Sequence, residues 1–572
     1  MGDPRQGVHI NTKGDQTKYD AIVIGSGISG GWAAKELCEK GLKTLLLERG
    51  RNVEHIKDYP TASLRPWEFE HRLQNTEKDK EENPVQSLEY DESNKHFFVS
   101  DKENPYVQDS PFHWIRGYHM GGRSLTWGRQ CYRLSDLDFE ANAKESIAVD
   151  WPIRYKDIAP WYDYVEKFVG ISGQSENLSH LPDGEFLPPM DMNCVEKYFK
   201  EQVENKFKER RVTIGRTANL TKGWNNRGPC QFRNLCNRGC PFGGYFSSNS
   251  ATIPVALATG NLTIRPFSLV SEIIYDKDKK RATSVKVIDT ETHQVLEFFS
   301  KLIFLNASTI SSACILLNST SDVFSNGLGN GSGQIGHNLM DHHARVGASG
   351  SYDGFKDEYY IGRRPNGIYI PRFRNINQDT ARKDYLRGFG FQGGAVRQSW
   401  QENITHLPGF GQGFKNVLTR PGDWVMWISA WGETLPYYEN KVTLDTNKKD
   451  KWGMPLPKID FKFRDNEFAM RKDMQESAKE MLAAAGIAEI KGFDYNAVGG
   501  DSVHEMGTVR MGRDPKTSVL NQWNQMHEVN NVFITDGSCM TSSACQNPSL
   551  TYMALTARAC DHAIDELKKG NL

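Results

Sequence analysis

The sequence predicts an α/β protein: a Rossmann-like dinucleotide-binding domain carrying a second, α+β domain on a mostly antiparallel sheet. Three observations lead there. The apolar run Asp20-Ala-Ile-Val-Ile24 passes directly into the glycine turn Gly25-Ser-Gly-Ile-Ser-Gly30 and a helical stretch ending at Gly41. A second apolar run, Thr44 to Leu47, ends on the acidic residue Glu48, at the spacing of a strand–turn–helix–strand unit. Residues 346–465, far along the chain, alternate in the manner of strands with one buried face.

The chain has 572 residues, which implies at least two domains. Its formal net charge is −1, with 25% charged and 38% hydrophobic residues, so no basic surface points to nucleic acid. No apolar run approaches the roughly 18–20 residues needed to cross a bilayer. Met1 to Lys18 is polar and lacks both an apolar stretch and a twin-arginine pair, so no export signal of its own is expected. The chain is then either cytoplasmic or exported with a partner that carries a signal.

In the glycine turn, Gly25, Gly27 and Gly30 let the backbone bend tightly and approach a pyrophosphate. Ile28 and Ser29 open the helix whose free N–H groups attract it. Glu48 is placed to accept hydrogen bonds from ribose hydroxyls and to repel a 2′-phosphate, which disfavours NADP. The motif does not by itself choose between FAD and NAD.

Beyond that unit, residues 74–110 are highly charged and read as a surface excursion, either a solvated loop or a lid. Strands follow over 262–305 and again over 346–465. Trp424, Trp427 and Trp431 lie in the second group, either as core residues or as platforms for sugar faces. Residues 466–485 and Ser549 to Leu567 read as helices. There are no internal repeats.

Three further segments belong together: Gly121-Gly-Arg-Ser-Leu-Thr-Trp-Gly128, His504-Glu-Met-Gly-Thr-Val-Arg-Met-Gly512, and Val532-Phe-Ile-Thr-Asp-Gly537 running on to Asn547-Pro-Ser-Leu-Thr551. Trp151-Pro-Ile153 with Tyr155 and Trp161-Tyr162, and Ile335-Gly-His-Asn-Leu-Met-Asp-His342, add to them. With these motifs the chain resembles the glucose–methanol–choline (GMC) oxidoreductase family over nearly its whole length. The resemblance implies FAD, and a substrate domain of the p-hydroxybenzoate-hydroxylase kind. The expected domains are 15–345 for the first FAD-binding part, with the excursion and a Cys-rich loop at 228–243; 346–498 for the substrate; and 499–572 for the C-terminal FAD-binding part.

The resemblance also implies roles. His504 matches the active-site histidine that accepts the alcohol proton, and Asn547 the second active-site position. Both are expected to touch substrate, as is Gln392. Their spacing looks like that of sugar-oxidising members such as pyranose oxidase. Asp536 and Gly537 match the segment at the flavin ribityl and pyrophosphate. Arg49, Gly121, Gly122, Ser124, Thr126, Val270, Asn547 and Ser549 complete the expected cofactor shell. Some members link the flavin covalently through a histidine before a Trp. Here Thr126 precedes Trp127, so a non-covalent flavin is expected. The chemistry fits these residue types. Alcohol oxidation sends a hydride to flavin N5 and a proton to a base, for which histidine is suited. A neighbouring amide can hold the oxygen as charge develops.

Of ten cysteines, seven are scattered; Cys230, Cys236 and Cys240 form a C-x5-C-x3-C array followed by Pro241. Thiolates in a short loop bind soft metals or iron–sulfur clusters. Three ligands suit a 3Fe-4S cluster, whereas zinc normally takes four. A disulfide with a free thiol, or simple packing, are the other readings. The spacing resembles that of the cluster-bearing bacterial branch, the FAD glucose and fructose dehydrogenases. That resemblance implies electron relay through the cluster to a cytochrome c. It also implies a small subunit carrying the export signal, hence a periplasmic location by co-export, with the cytoplasm as alternative. The expected function is oxidation of a secondary hydroxyl of a sugar or glycoside, with C3 of glucosides, giving 3-keto-glycosides, as its sharpest form. The alternatives are an oxygen-using oxidase with structural cysteines, a flavin-dependent lyase, and a non-catalytic flavin-binding subunit.

Overall fold

The computed structural model describes residues 18–572 except 360, 361, 363, 399–409, 420 and 496. Strands β1 (Lys18–Ile24) and β2 (Thr44–Leu47) lie side by side in parallel, with the glycine turn and helix α1 (Ile28–Glu39) between them. Both strands are almost wholly buried, as expected of unbroken apolar runs inside a covered parallel sheet. They belong to a seven-stranded sheet, ordered β5 (Leu262–Arg265), β2, β1, β8 (Val295–Leu305), β7 (Arg281–Asp289), β6 (Ser268–Asp276), with β16 (Val532–Ile534) also on β8. The β5, β2, β1, β8 and β16 pairings are parallel, and β6 and β7 are antiparallel. The ends of β1, β8 and β16 carry Gly25, Asn306 and Thr535, so three segments hundreds of residues apart meet at one sheet edge. Ligands in such sheets bind beyond the carboxyl ends of the strands.

The second sheet has six strands, ordered β15 (Ala488–Asp494), β9 (His343–Tyr352), β12 (Trp424–Gly432), β11 (Phe389–Arg397), β10 (Ile368–Ile370), β4 (Thr213–Ile214), all antiparallel. Helix α5 (Asp465–Ala484) buries Met470, Met474, Ala478 and Met481 against one face. Strand periodicity then sorts the three tryptophans. Trp424 shares the core face with Met426 and Ile428 and is 1% exposed, while Trp427 lies on the opposite face at 38%. Trp431, on the same face as Trp427, reaches the cavity described below.

Strands β13 (Lys441–Lys449) and β14 (Pro455–Asp460) fall within the segment expected to bind substrate, yet neither joins the six-stranded sheet. They form a three-stranded sheet with β3 (Val107–Gln108), from the charged excursion. That excursion is folded over the cavity rather than loose in solvent. Its anchor is polar: buried Gln86 donates to Trp114 O at 2.8 Å and accepts from Arg116 N at 2.9 Å, and Asp101 binds Gln86 and Arg116. The remaining long helices are α2 (Tyr155–Val169), α3 (Cys194–Lys206), α4 (Thr309–Asn318) and the closing helix α6 (Ser549–Lys568), which packs on α1 and α2.

Candidate active site

A cavity of about 560 Å³ runs from the glycine turn to the six-stranded sheet. At one end the turn is built as its sequence requires. Gly25 has a left-handed φ of 95°, where a Cβ would strike Asn306 O, and a Cβ on Gly30 would strike Gly25 O. A Cβ on Gly27 would meet nothing, because that position opens into the cavity. Gly27 caps α1 without any side-chain hydrogen bond, leaving the helix N–H groups to the cavity. Across from it, Gly121 N donates to Ser26 Oγ at 2.9 Å, and Ser26 Oγ donates to Glu48 Oε2 at 2.5 Å. Glu48 Oε1 accepts from Gly50 N at 3.0 Å. Oε2 also accepts from Ser26 N at 3.2 Å, so it is Oε1 that keeps a second lone pair for a ligand.

All of the expected dinucleotide residues line the cavity except Gly30 and Gly121, whose part is to shape the two turns. Asp536 is tied down by Ser312 Oγ at 2.6 Å and Ser538 N at 3.0 Å. At the far end α6 begins at Ser549, again without a side-chain cap. Five groups on cavity-lining residues are buried and unpartnered: Arg49 Nε, Arg129 Nε, Asn306 Nδ2, Glu505 Oε1 and Tyr552 Oη. Buried polar atoms of this kind are normally satisfied. Two open helix ends, a glycine with room in front of it and these unpaired atoms fit an extended, polar, anionic dinucleotide such as FAD.

The structure brings His504, Asn547 and Gln392 to the same cavity, together with Trp431, with Arg123 from the Gly121–Gly128 motif, and with Gln130 and Arg129, whose part in the site no sequence motif signals. His342 Nε2 donates to Ala544 O at 2.8 Å, and His342 Nδ1 lies 2.8 Å from His504 Nδ1. A carbonyl only accepts, so the His342 proton sits on Nε2. Burial holds His342 at about 4, hence neutral, so its Nδ1 is an acceptor. His504 must then carry its proton on Nδ1, which leaves Nε2 as a free lone pair. Burial, with His342 and Arg123 beside it, holds His504 well below its ordinary 6.5.

Gln392 Nε2 donates to Asn547 Oδ1 at 2.8 Å, which fixes the amide so that Nδ2 points onward. That Nδ2 lies 3.5 Å from His504 Nε2, a separation suited to sharing one ligand oxygen between them. Asp341, from the Ile335–His342 motif, holds the loop before His504. It accepts from Gly500 N at 2.8 Å, Ser502 Oγ at 2.5 Å and His504 N at 3.1 Å. Arg123 pairs with Glu505 at 2.7 Å. The motif is visible in the sequence, but the partners of Asp341 and His342 are not.

The Cys-rich loop packs behind the Gly121–Trp127 turn. Tyr245 Oη donates to Leu125 O at 2.7 Å, and Asn237, next to Cys236, lines the cavity. The three cysteines are free thiols. Cys230 and Cys240 accept from Phe232 N and Gly244 N at 3.4 and 3.3 Å, and Asn219 Nδ2 lies 3.9 Å from Cys236 Sγ. Burial pushes the Cys230 thiol up to about 11, with Cys236 and Cys240 adding to the push. Among the described residues no group of three potential ligands is gathered to hold a single metal ion. The charge around the loop is one-sided. No Asp or Glu occurs between Arg210 and Ser271. Arg233 and Arg238 donate to the carbonyls of Ala62 and Leu64 at 2.6 and 3.1 Å, and Arg129 and Arg227 likewise bind carbonyls. None of these four arginines forms a salt bridge among the described residues, and Arg129, Arg227 and Arg238 keep buried, unpartnered N–H groups.

A dinucleotide cradle that faces a histidine–asparagine pair across one cavity defines a flavin-type oxidoreductase. The chain belongs to the GMC oxidoreductase family: sequence models of that family's N- and C-terminal regions match residues 19–344 and 436–556. It is 27% identical to the 2-methyl-1,2-propanediol dehydrogenase of Mycolicibacterium austroafricanum, over 97% of this chain and 96% of that one. It is 24% identical to the fructose dehydrogenase large subunit of Gluconobacter japonicus (96% and 98% covered) and to the gluconate 2-dehydrogenase flavoprotein of Pantoea cypripedii (96% and 94%). Among solved structures, formate oxidase of Aspergillus oryzae RIB40 superposes with a TM-score of 0.60 at 14% identity, covering 97% of this chain and 99% of that one. Pyridoxine 4-oxidase from Mesorbium loti gives 0.58 at 14% identity, covering 96% and 99%. These two share the fold.

Proposed function

We propose that the protein is an FAD-dependent dehydrogenase that oxidises a secondary hydroxyl of a sugar or glycoside, with C3 of glucosides as the preferred position. The observation that carries this reading is the unprotonated His504 Nε2, held beside Asn547 Nδ2 in the cavity that also contains the dinucleotide cradle. Gln392 fixes Asn547, Asn547 donates to the substrate oxygen, and His504 Nε2 takes the hydroxyl proton as the carbonyl forms. FAD, when bound, supplies the hydride acceptor. His504 is the only histidine lining the cavity among the described residues, and it is occupied as base, which favours a non-covalent flavin.

Cys230, Cys236 and Cys240 would hold an iron–sulfur group, which when bound would supply one-electron relay toward a cytochrome c. Two features support this. The cysteine loop lies directly behind the Gly121–Trp127 turn. Its arginines also form no salt bridge among the described residues, and a buried cation is normally paired, so an anionic group at the thiols would balance them. Cys230, Cys236 and Cys240 would be the ligands. Two of the relatives are the large subunit of one dehydrogenase and the flavoprotein of another, which favours an assembly with a small signal-bearing subunit and co-export to the periplasm. Among the described residues no helix is long and apolar enough to cross a membrane.

A second reading, an oxygen-using oxidase with structural cysteines, is favoured because no ligand set for a single ion is gathered among the described residues. Iron and acid-labile sulfide analysis separates the two. A dye-coupled substrate screen, with the product position read by NMR, tests the substrate. Turnover of a non-sugar alcohol, with glucose, lactose and glucosides ignored, would sink the sugar reading.

A further inference from the structure

The hairpin between β13 and β14 closes the cavity at the end where Glu48 lies. Asp450, Met454 and Pro455 line that end together with Glu48, Arg49 and Val270. The tip is a preformed turn. Asp450 Oδ1 accepts from Trp452 N and Met454 N at 2.9 Å each, Asp450 N donates to Met454 O at 2.8 Å, and Gly453 supplies a φ of 84°.

What holds the tip down is a small set of contacts centred on Arg49. Its guanidinium lies between the rings of Tyr118, at 4.3 Å, and Trp452, at 5.0 Å. One nitrogen is 3.7 Å from Asp450 Oδ2, and the Trp452 indole N–H donates to Thr290 O at 3.1 Å. Lys451 pairs with Glu103 at the surface. The pairing of β13 with β14 shifts register between Asp445 and Lys449, an irregularity at the base of the tip where the ribbon can bend. The charged excursion, by contrast, is fastened by the buried Gln86, Asp101 and Arg116 network. Of the two covers over the cofactor end, the hairpin tip is the weakly tied one.

We infer that the tip from Lys449 to Pro455 is the adenosine clamp of the cofactor site, a strap latched on Arg49 that lifts for the dinucleotide to enter or leave. Arg49 thereby has two duties. Its Nη side holds the latch, and its buried Nε, which has no protein partner, faces the ligand. This rests on the cavity being the FAD site.

The test is FAD release from the holoenzyme, followed by the rise in free-flavin fluorescence, and rebinding of FAD to the resulting apoprotein. Trp452→Ala removes one face of the latch and is expected to raise both release and rebinding rates, each by about fivefold. Asp450→Asn keeps the Oδ1 acceptor of the turn but loses the charge. Wild-type release is expected to quicken with added salt, and the Asp450→Asn rate to be higher and nearly salt-independent. A residue that only supported the fold would lower thermal stability and leave the rebinding rate alone. Release and rebinding at wild-type rates in both variants would overturn the strap. Protein purified without any FAD, and unable to bind it, would overturn the cavity assignment itself, a separate result from unaltered rates.

Discussion

His342 and His504 meet Nδ1 to Nδ1 at 2.8 Å, and because His342 spends its only proton on Ala544 O, His504 Nε2 faces the cavity without one. The base is oriented by a second neutral imidazole rather than by a carboxylate. A carboxylate would stabilise the protonated base and raise its pKa, whereas a neutral acceptor fixes the tautomer and leaves the pKa low.

His342→Asp is therefore expected to move the pH profile. His504 works as a base only when neutral, so kcat/KM falls as pH drops through its pKa. In the native protein that pKa lies well below 6.5, so the acid limb lies low. The carboxylate should push the limb upward, and His342→Ala should lower kcat/KM by about 10²-fold through loss of the tautomer. An acid limb that stays in place in His342→Asp would contradict the assignment.

Removing Asn547 as donor is expected to cost more than removing its support. Asn547→Ala should lower kcat by about 10²-fold or more. Gln392→Leu, which only frees the amide to rotate, should cost about tenfold. Steady-state kinetics on one glycoside substrate rank the two, and a larger loss in Gln392→Leu would reverse the roles of donor and support.

Cys236→Ser is expected to separate the two halves of the reaction. Anaerobic bleaching of the flavin by substrate should survive, while transfer to a cytochrome c and the iron and sulfide content should fall together. Unchanged cytochrome reduction would instead support the oxidase-like reading with structural cysteines.

Asp341 carries a stability signature. Burial, with Glu505 nearby, pushes its carboxyl from 3.8 to about 7. The folded state therefore binds a proton that the unfolded state has already lost between those values, and the stability Asp341 contributes declines as pH rises from about 4 to about 7. In Asp341→Asn that part of the Tm-against-pH curve is expected to flatten, with lower activity because one carboxylate oxygen becomes an NH2 group, so that either Gly500 N or the pair Ser502 Oγ and His504 N loses its acceptor.

The parts of this molecule that can be read from its sequence are those encoded locally. The Gly25–Gly30 turn, Glu48 and the buried strands on either side follow from spacing and hydrophobic period alone. His504 and Asn547 are reached through motif resemblance, and their chemistry does not require knowing the fold. What escapes depends on contacts between distant segments. Trp424 and Trp427 look alike in the sequence, and only the phase of β12 sends one to the core and the other outward. The choice between a solvated loop and a lid stays open for the excursion in the sequence, because its anchor is Gln86, a polar residue buried by hydrogen bonds rather than by apolar surface. No local pattern joins Arg49 to Trp452, or assigns His342 the proton that decides the tautomer of His504.

Helices α1 and α6 both begin at the cavity, and neither start is capped by a side chain. Each presents the positive end of its dipole to the same space, near Gly27 and near Ser549. Arg123 adds a full charge beside them, though Glu505 offsets it. Where the flavin occupies this cavity, the negative charge that a hydride adds to it would develop beside those two helix ends.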